Sequence, residues 1–149
     1  KRQVGRGITA MAASDGVSRE QSALATALLV SLGEVVSVSD EAMIDACTAI
    51  SGSGPAYIFY MTECLTAAAM ELGLPADIAE QLARATVAGA GELMWATGTP
   101  AGVLRENVTS PKGTTHAALQ VLMADGDGMK QLMVRATAKA EQRSRELAG

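Results

Sequence analysis

Alanine fills 28 of the 149 positions of this chain, while aromatic residues make up only 3%. Apolar residues still reach 48%, so the chain can bury a core built from Ala, Leu, Val and Met. Alanine has the highest helix propensity, whereas sheets are rich in aromatic and β-branched side chains. The composition therefore predicts a mainly α fold of close-packed helices, and the length suits one domain rather than two.

Charge and cysteine content exclude several classes of protein. The formal net charge of -4 leaves no broad basic surface, so we expect no nucleic-acid partner. Cys47, Cys64 and the single His116 show no C-x-x-C or H-x-x-H spacing, so no metal site is expected. The two thiols are interpreted as buried small hydrophobic groups in a reducing compartment, which predicts a cytoplasmic protein. No leader and no apolar run of membrane-spanning length is found, so no membrane partner is expected.

The first 38 residues differ in pattern from the rest. Gly7–Ala12 and residues 34–38 are short apolar runs typical of strands. Between them Ser18 opens a helix, with Gln21 in place to complete a capping box. A strand, a helix and a strand are too little for a domain. This stretch is predicted to be the end of an α/β sheet whose beginning is missing, and the start at Lys1 without an initiator Met agrees.

Helical spacing of apolar residues dominates from residue 39 to the end. Glycine is favoured just after a helix and proline at its first position. With a glycine-serine break at residues 51–55, these signals predict helices over residues 40–50, 55–72, 75–97, after Pro100, 115–124 and 129–147. The helices starting at Pro55 and Pro75 have almost no polar face, which predicts a subunit interface in an interlocked homodimer. The alternative is one central helix wrapped by its own neighbours.

Three glycine clusters are candidate nucleotide-binding sites. Residues 5–10 match G-x-G-x-x-A, but only four residues precede them and a strand follows. The dinucleotide fingerprint requires a strand before it and a helix after it. The clusters at residues 52–54 and 89–91 carry Tyr57 and Met94 where the third small residue is needed. The chain therefore carries no nucleotide fingerprint of its own.

Residues 111–115 (PKGTT) place several backbone amides at the start of a predicted helix. Free amides and the partial positive charge of a helix start favour an anion, and two threonine hydroxyls add further polar groups. A small carboxylate suits this arrangement better than a triphosphate, because the Gly-Lys-Ser/Thr order of a phosphate loop is absent. The alternative is that Thr114 simply caps the helix.

Three spaced segments carry a resemblance to a known family, and they are residues 51–57 (SGSGPAY), 73–75 (GLP) and 108–115 (VTSPKGTT). In order and spacing they strongly resemble pyrroline-5-carboxylate reductase. Residues 4–10 resemble the stretch after that family's Asn-Pro-containing loop, and the similarity runs over essentially the whole chain. Two departures stand out. Lys112 occupies a position where the family usually has a small residue, commonly glycine, and Met123 replaces a usual acidic or polar residue.

The resemblance implies an N-terminal Rossmann domain followed by an all-helical domain similar to the C-terminal domain of 6-phosphogluconate dehydrogenase. Residues 1–38 are then a remnant β-α-β of the Rossmann sheet, and residues 39–149 are the helical dimerisation and substrate-binding domain. The implied partners are a second copy of the chain in a homodimer, with larger oligomers left open, and a small-molecule substrate.

The implied activity is the reduction of 1-pyrroline-5-carboxylate to L-proline, the last step of proline biosynthesis, with NADPH or NADH as the hydride donor. Because most of the nucleotide domain is missing, the chain is expected to be a fragment that is inactive alone. A second interpretation is a helical oligomerisation module without catalysis. A third, an unrelated helical ligand-binding domain, requires the spaced motifs to be chance.

The implied site residues share one segment between two predicted helices, and they are Asn107, Val108, Ser110, Gly113, Thr114 and Thr115. Amides near Gly113 and Thr114 are implied to hold the substrate carboxylate. The hydroxyl of Thr115 is implied to lie near the imine nitrogen as the catalytic group, and Asn107 to face the nicotinamide. Val108 and Ser110 are implied to line the site.

Overall fold

The computed structural model describes residues 6–148. Lys1, Val4 and Gly5, which belong to patterns discussed above, lie outside the described residues. The described elements follow in the order β1 (Gly7–Ala12), α1 (Arg19–Val30), β2 (Gly33–Val38), α2 (Met43–Cys47), a π-helical turn (Thr48–Gly52), α3 (Gly54–Glu71), α4 (Ala76–Thr97), α5 (Ala101–Asn107), α6 (Thr114–Leu122) and α7 (Met129–Ala148). The predicted mainly α class with a short β-α-β start is confirmed.

The chain divides into two compact units, each described by itself. The first contains the described residues up to Pro55 together with those from Arg135 onward, and the second is Ala56–Val134. The boundary predicted after residue 38 remains a prediction.

In the first unit, β1 and β2 pair in parallel from Gly7 opposite Gly33 to Ala12 opposite Val38. Gly33 has a φ of 134°, and a Cβ at this position would overlap the backbone of Gly7. Only glycine therefore fits where β2 begins.

Helix α1 begins with the predicted capping box. The Ser18 hydroxyl accepts the Gln21 amide at 3.2 Å, and the Gln21 side chain accepts the Ser18 amide at 2.8 Å. Further along the first unit, the Ser144 hydroxyl on α7 donates to Asp45 on α2 at 2.6 Å. This partly buried bond joins two helices that are far apart in sequence.

The predicted break at residues 51–55 is shorter than expected, because a π-helical turn continues to Gly52 and Ser53 alone separates it from α3. The amide of Ser53 donates to the carbonyl of Thr48 at 2.9 Å, which is the i to i+5 bond of a π-helix. Helix α3 follows at once from Gly54. Pro55 does not stop it, because the first four amides of a helix need no acceptor. Gly73, with a φ of 93°, follows the end of α3 as the sequence predicted.

Few side chains of the described residues are buried. The buried apolar residues are Ala49, Ala79 and Ala83, and none lies on α3. The alternative of a central helix wrapped by its own neighbours is therefore wrong for α3. The expectation of buried thiols is wrong as well, since Cys47 is half-buried and Cys64 is exposed. Cys64 lies on α3, a helix that has no fully buried residue in the described part of the chain.

The described part of the chain lacks a membrane-spanning helix and a cluster of metal-binding side chains. Among residues 6–148, no helix combines the length and the apolarity needed to cross a membrane. Within the same residues, no group of three or more His, Cys, Asp or Glu side chains is arranged to hold a metal ion.

Candidate active site

The connection between α5 and α6, residues 108–113, contains most of the expected site residues. Its first part is fixed to the end of α5. The amide of Thr109 donates to the Glu106 carbonyl at 3.0 Å, and the Thr109 hydroxyl donates to the Arg105 carbonyl at 2.6 Å. These two bonds satisfy carbonyl groups at the helix end, and they set the direction in which the chain leaves it.

The second part of the connection is a tight turn from Ser110 to Gly113. The amide of Gly113 donates to the Ser110 carbonyl at 3.0 Å. Lys112 has a φ of 60°, the left-handed conformation that favours glycine. A Cβ at Gly113 would overlap the Ser110 hydroxyl and lie 3.1 Å from the Ser110 carbonyl oxygen. A side chain at position 113 would therefore require the Ser110 hydroxyl to rotate and its carbonyl oxygen to shift slightly.

Helix α6 begins without a side-chain cap. Gly113 is the N-cap, and Thr114 is already the first helical residue. The alternative that Thr114 caps the helix is wrong, because a capping side chain must belong to the residue before the first helical one. The amide of Ala117 donates to the Gly113 carbonyl at 3.1 Å and closes the first turn.

Three amides at this helix start have no acceptor among the described residues, those of Thr114, Thr115 and His116. The amide of Gly113, expected among the carboxylate donors, is instead occupied by the Ser110 carbonyl. The free donors thus begin one residue later than the sequence predicted. They point out of the start of a helix, where backbone partial charge favours an anion.

The side chains of the segment differ in exposure. Thr115 is half-buried, and its hydroxyl makes no hydrogen bond to any described residue. Asn107, Ser110 and Thr114 are exposed, and Val108 is 65% exposed. The segment thus places the expected polar groups within one turn and leaves most of them open to a ligand.

A groove of about 400 Å³ between α5 and α6 was not anticipated, and it is lined by Arg105, Glu106, Thr109, His116, Leu119, Gln120 and Met123. Three α6 residues and its C-cap, Met123, follow the spacing i, i+3, i+4 and i+7, a helical-face pattern that was available in the sequence. The Arg105 guanidinium lies 3.3 Å from the Glu106 carboxylate, so the cation is already compensated. Thr115 does not line this groove.

A larger groove of about 860 Å³ lies between α3 and α4. Its walls are mainly apolar and include Phe59, Met70 and Val87. The charged side chains at this groove are Glu63 and the exposed pair of Glu80 and Arg84, whose charged atoms are 3.5 Å apart. The structure describes no part of the chain that fills this groove, so two nearly apolar helices keep a long open surface.

Comparison with known proteins identifies the family. The model of the pyrroline-5-carboxylate reductase dimerisation family matches residues 41–147. The chain belongs to this family. The match runs from α2 to α7 and includes the turn before α6. The resemblance read from the spaced motifs is thereby confirmed.

Individual pyrroline-5-carboxylate reductases extend the similarity beyond the matched domain. The enzyme of Arabidopsis thaliana is 39% identical over 97% of this chain and 51% of its own length. That of Synechocystis sp. is 42% identical over 97% of this chain and 53% of its own length. The chain thus spans about half the length of the curated relatives it matches.

Solved structures of pyrroline-5-carboxylate reductases share the fold. The Coxiella burnetii enzyme has a TM-score of 0.86 and 40% identity, covering 97% of this chain and 53% of its own. The Plasmodium falciparum enzyme, solved with NADP bound, has a TM-score of 0.76 and 27% identity, covering 98% and 55%.

The described residues do not fit a dinucleotide. A pyrophosphate site needs a glycine-rich turn between a strand and a helix N-terminus. The turn between β1 and α1, residues 13–18, contains one glycine, Gly16, and no G-x-G-x-x-G pattern. In this reductase family member, the described part of the chain therefore provides no pyrophosphate cradle.

Proposed function

We propose that the chain is the dimerisation and substrate-binding portion of an NAD(P)H-dependent pyrroline-5-carboxylate reductase, which reduces 1-pyrroline-5-carboxylate to L-proline. The observation that carries the proposal is the start of α6. Three amides without acceptors lie there beside the half-buried hydroxyl of Thr115, within a domain that belongs to the reductase dimerisation family.

The amides of Thr114, Thr115 and His116 hold the substrate carboxylate in this proposal. A carboxylate accepts several backbone amides at once, and hydrogen bonds to a charged acceptor are about twice as strong as neutral ones. The turn from Ser110 to Gly113 supports this assignment, because the Ser110 carbonyl occupies the Gly113 amide and leaves the three following amides without an acceptor among the described residues. Val108 and Ser110 line the site on the side of the substrate ring.

Thr115 is the catalytic group of the proposal. When the imine carbon is reduced, charge changes at the imine nitrogen, and a positioned hydroxyl there lowers the barrier. The Thr115 hydroxyl supports this role because it is half-buried and has no partner among the described residues. Anchoring the carboxylate at amides of the same turn orients the ring against the hydroxyl, and such orientation contributes strongly to rate.

The nucleotide supplies the hydride in this reaction. Its pyrophosphate is held by a part of the longer protein that precedes residues 1–38, which we assign to the end of the Rossmann domain. Asn107, the exposed last residue of α5, is proposed to face the nicotinamide. The proposed hydride donor is NADPH or NADH, and the proposed location is the cytoplasm.

A second copy of the chain is the proposed partner of the α3–α4 groove. The exposed apolar side chains Phe59, Ile58 and Leu82, at 67%, 45% and 51% exposure, support a homodimer. Burying such side chains from two nearly apolar helices gains free energy in proportion to the apolar area removed from water. Larger oligomers built from this dimer are compatible with the same surface.

Two measurements test the proposed function. The longer reductase that contains this chain should oxidise NADPH or NADH when 1-pyrroline-5-carboxylate is added, whereas the chain alone should not. On the isolated chain, titration with L-proline should shift the amide NMR signals of residues 108–116 and leave those of α7 in place. Robust turnover by the chain alone contradicts the fragment interpretation, and an inactive longer protein contradicts the reductase itself.

A second candidate is a helical oligomerisation module without catalysis. The large exposed apolar surface of α3 and α4 favours it. It predicts the same dimer, but no proline-dependent shifts at the start of α6 and no activity in the longer protein.

A further inference from the structure

Lys112 is the only Lys, Arg, Asp or Glu residue between positions 107 and 124. That range covers the whole turn before α6, the helix itself and the two residues after it. The Lys112 side chain is exposed, and it forms no ion pair with any described residue. The proposed substrate segment therefore carries one uncompensated positive charge on a chain whose formal net charge is -4.

Lys112 also occupies an unfavourable backbone conformation. It is the one non-glycine residue with positive φ among residues 6–148, at 60°. Glycine adopts this conformation freely, whereas a residue with a Cβ pays a steric cost. Local backbone energetics thus favour glycine at this position, so the lysine is not explained by the stability of the turn.

The relatives indicate which ligand the Lys112 charge would attract. They are named pyrroline-5-carboxylate reductase, so the substrate of those enzymes carries a carboxylate. Resting on the proposed function, we propose that Lys112 attracts the anionic substrate of this reductase to the turn and so raises the rate of its capture. The ammonium ends a flexible, exposed side chain two residues before the first free amide, and it acts as a point charge rather than as a fixed hydrogen-bond donor.

Because Lys112 is exposed, its effect on substrate capture depends on ionic strength. Attraction across water is modest, and salt screens it over about 10 Å at 0.1 M ionic strength. It raises the rate of substrate capture and leaves the chemical step alone. The adjoining groove does not compete for the substrate, because Arg105 there is paired with Glu106 at 3.3 Å.

The experiment compares four variants of the longer reductase, Lys112→Gln, Lys112→Gly, Lys112→Arg and Lys130→Gln. Steady-state kinetics with 1-pyrroline-5-carboxylate are measured from low to high ionic strength. Lys112→Gln and Lys112→Gly should raise KM by about two- to fivefold at low salt, with the difference vanishing near 1 M salt, where screening is nearly complete. Lys112→Arg should keep the low KM, because it keeps the charge.

The glycine variant separates electrostatics from structure. Glycine relaxes the backbone, so a purely structural role for Lys112 predicts an unchanged or lower KM, whereas the charge predicts a higher one. Lys130→Gln removes the same charge from exposed Lys130 on α7 and should leave KM unchanged.

Two results overturn the inference in distinguishable ways. An active wild-type enzyme whose KM and salt dependence are unaffected by Lys112→Gln overturns the role of Lys112 alone. A longer protein without any pyrroline-5-carboxylate reductase activity overturns the proposed function, and the inference with it.

Discussion

The carbonyl oxygen of Ser110 accepts the amide of Gly113 at 3.0 Å, and this bond decides which amides of the turn are open to a ligand. With the Gly113 amide occupied, the free donors are those of the first three residues of α6. The same closure brings position 113 close to Ser110, so that a Cβ there would overlap the Ser110 hydroxyl and lie 3.1 Å from the Ser110 carbonyl oxygen. The packing of the turn and the placement of the proposed anion donors thus both involve Gly113.

Replacing Gly113 with Ala should destabilise the chain by about 1–3 kcal/mol, the usual cost of forcing extra atoms into a close contact. The added methyl group overlaps the Ser110 hydroxyl and lies 3.1 Å from the Ser110 carbonyl oxygen, so both groups must shift. Urea unfolding followed by circular dichroism measures the change. The matched control is Gly126→Ala, since a Cβ at Gly126 meets no atom within 4 Å. Equal midpoints for the two variants would show that the contact at Gly113 is easily relieved.

Replacing Lys112 with Gly should stabilise the fold by about 1 kcal/mol, because the left-handed conformation costs a residue with a Cβ roughly that much. The same substitution at exposed Lys139, in the interior of helix α7, should instead destabilise by about 1 kcal/mol. Opposite signs in urea unfolding are therefore expected for two lysine-to-glycine changes that alter net charge equally. A loss of stability at both positions contradicts the assigned backbone conformation of Lys112.

Most of the fold follows from local sequence signals. The capping box at Ser18, Gly73 after α3 and the strand over Gly7–Ala12 are all confirmed, because each depends on residues that are neighbours in sequence. The break expected at residues 51–55 is reduced to Ser53, because a π-helical turn extends the preceding helix to Gly52. The start of α3 beside Pro55 agrees with the tolerance of proline in the first turn of a helix.

The site was predictable in position but not in detail. The anion-favouring turn was expected from the residues 111–115, yet the sequence does not reveal that the Gly113 amide bonds to Ser110. The conformation of Lys112 and the exposure of Cys64 were equally hidden. The first two depend on how the turn from Ser110 to Gly113 closes in three dimensions. The exposure of Cys64 depends on which side of α3 is left open by the described residues.

Replacing Thr115 with Ala in the longer reductase should lower kcat/KM by about tenfold to a thousandfold, the usual range for one positioned donor or proton-transfer group. The physical reason is the loss of the hydroxyl proposed to lie near the imine nitrogen. Steady-state NADPH oxidation measures the loss, and Thr115→Ser, which keeps a hydroxyl, should recover most of it. An unchanged kcat/KM in the alanine variant removes Thr115 from the mechanism.

Replacing Phe59 with Asp should convert the proposed dimer into a monomer. Phe59 lies on the wall of the α3–α4 groove and is 67% exposed in the single chain. A charge at this position should therefore destabilise the dimer interface and leave the fold of the single chain intact. Placing an unpaired charge in an apolar interface is strongly unfavourable because the ion loses its hydration. Light scattering after size-exclusion chromatography measures the mass, and circular dichroism verifies that the helices remain.

The control for this dimer test is Val121→Asp on α6. Val121 is 72% exposed and does not line the α3–α4 groove, so the same new charge should leave the dimer intact. A wild-type chain that is monomeric at micromolar concentration rules out the dimer altogether. If both aspartate variants become monomers, the interface extends to α6 and the groove is not its centre. Because α3 has no buried residue in the single chain, the simplest partner for its apolar surface is a second copy of the chain. The Phe59 variant tests that interface directly.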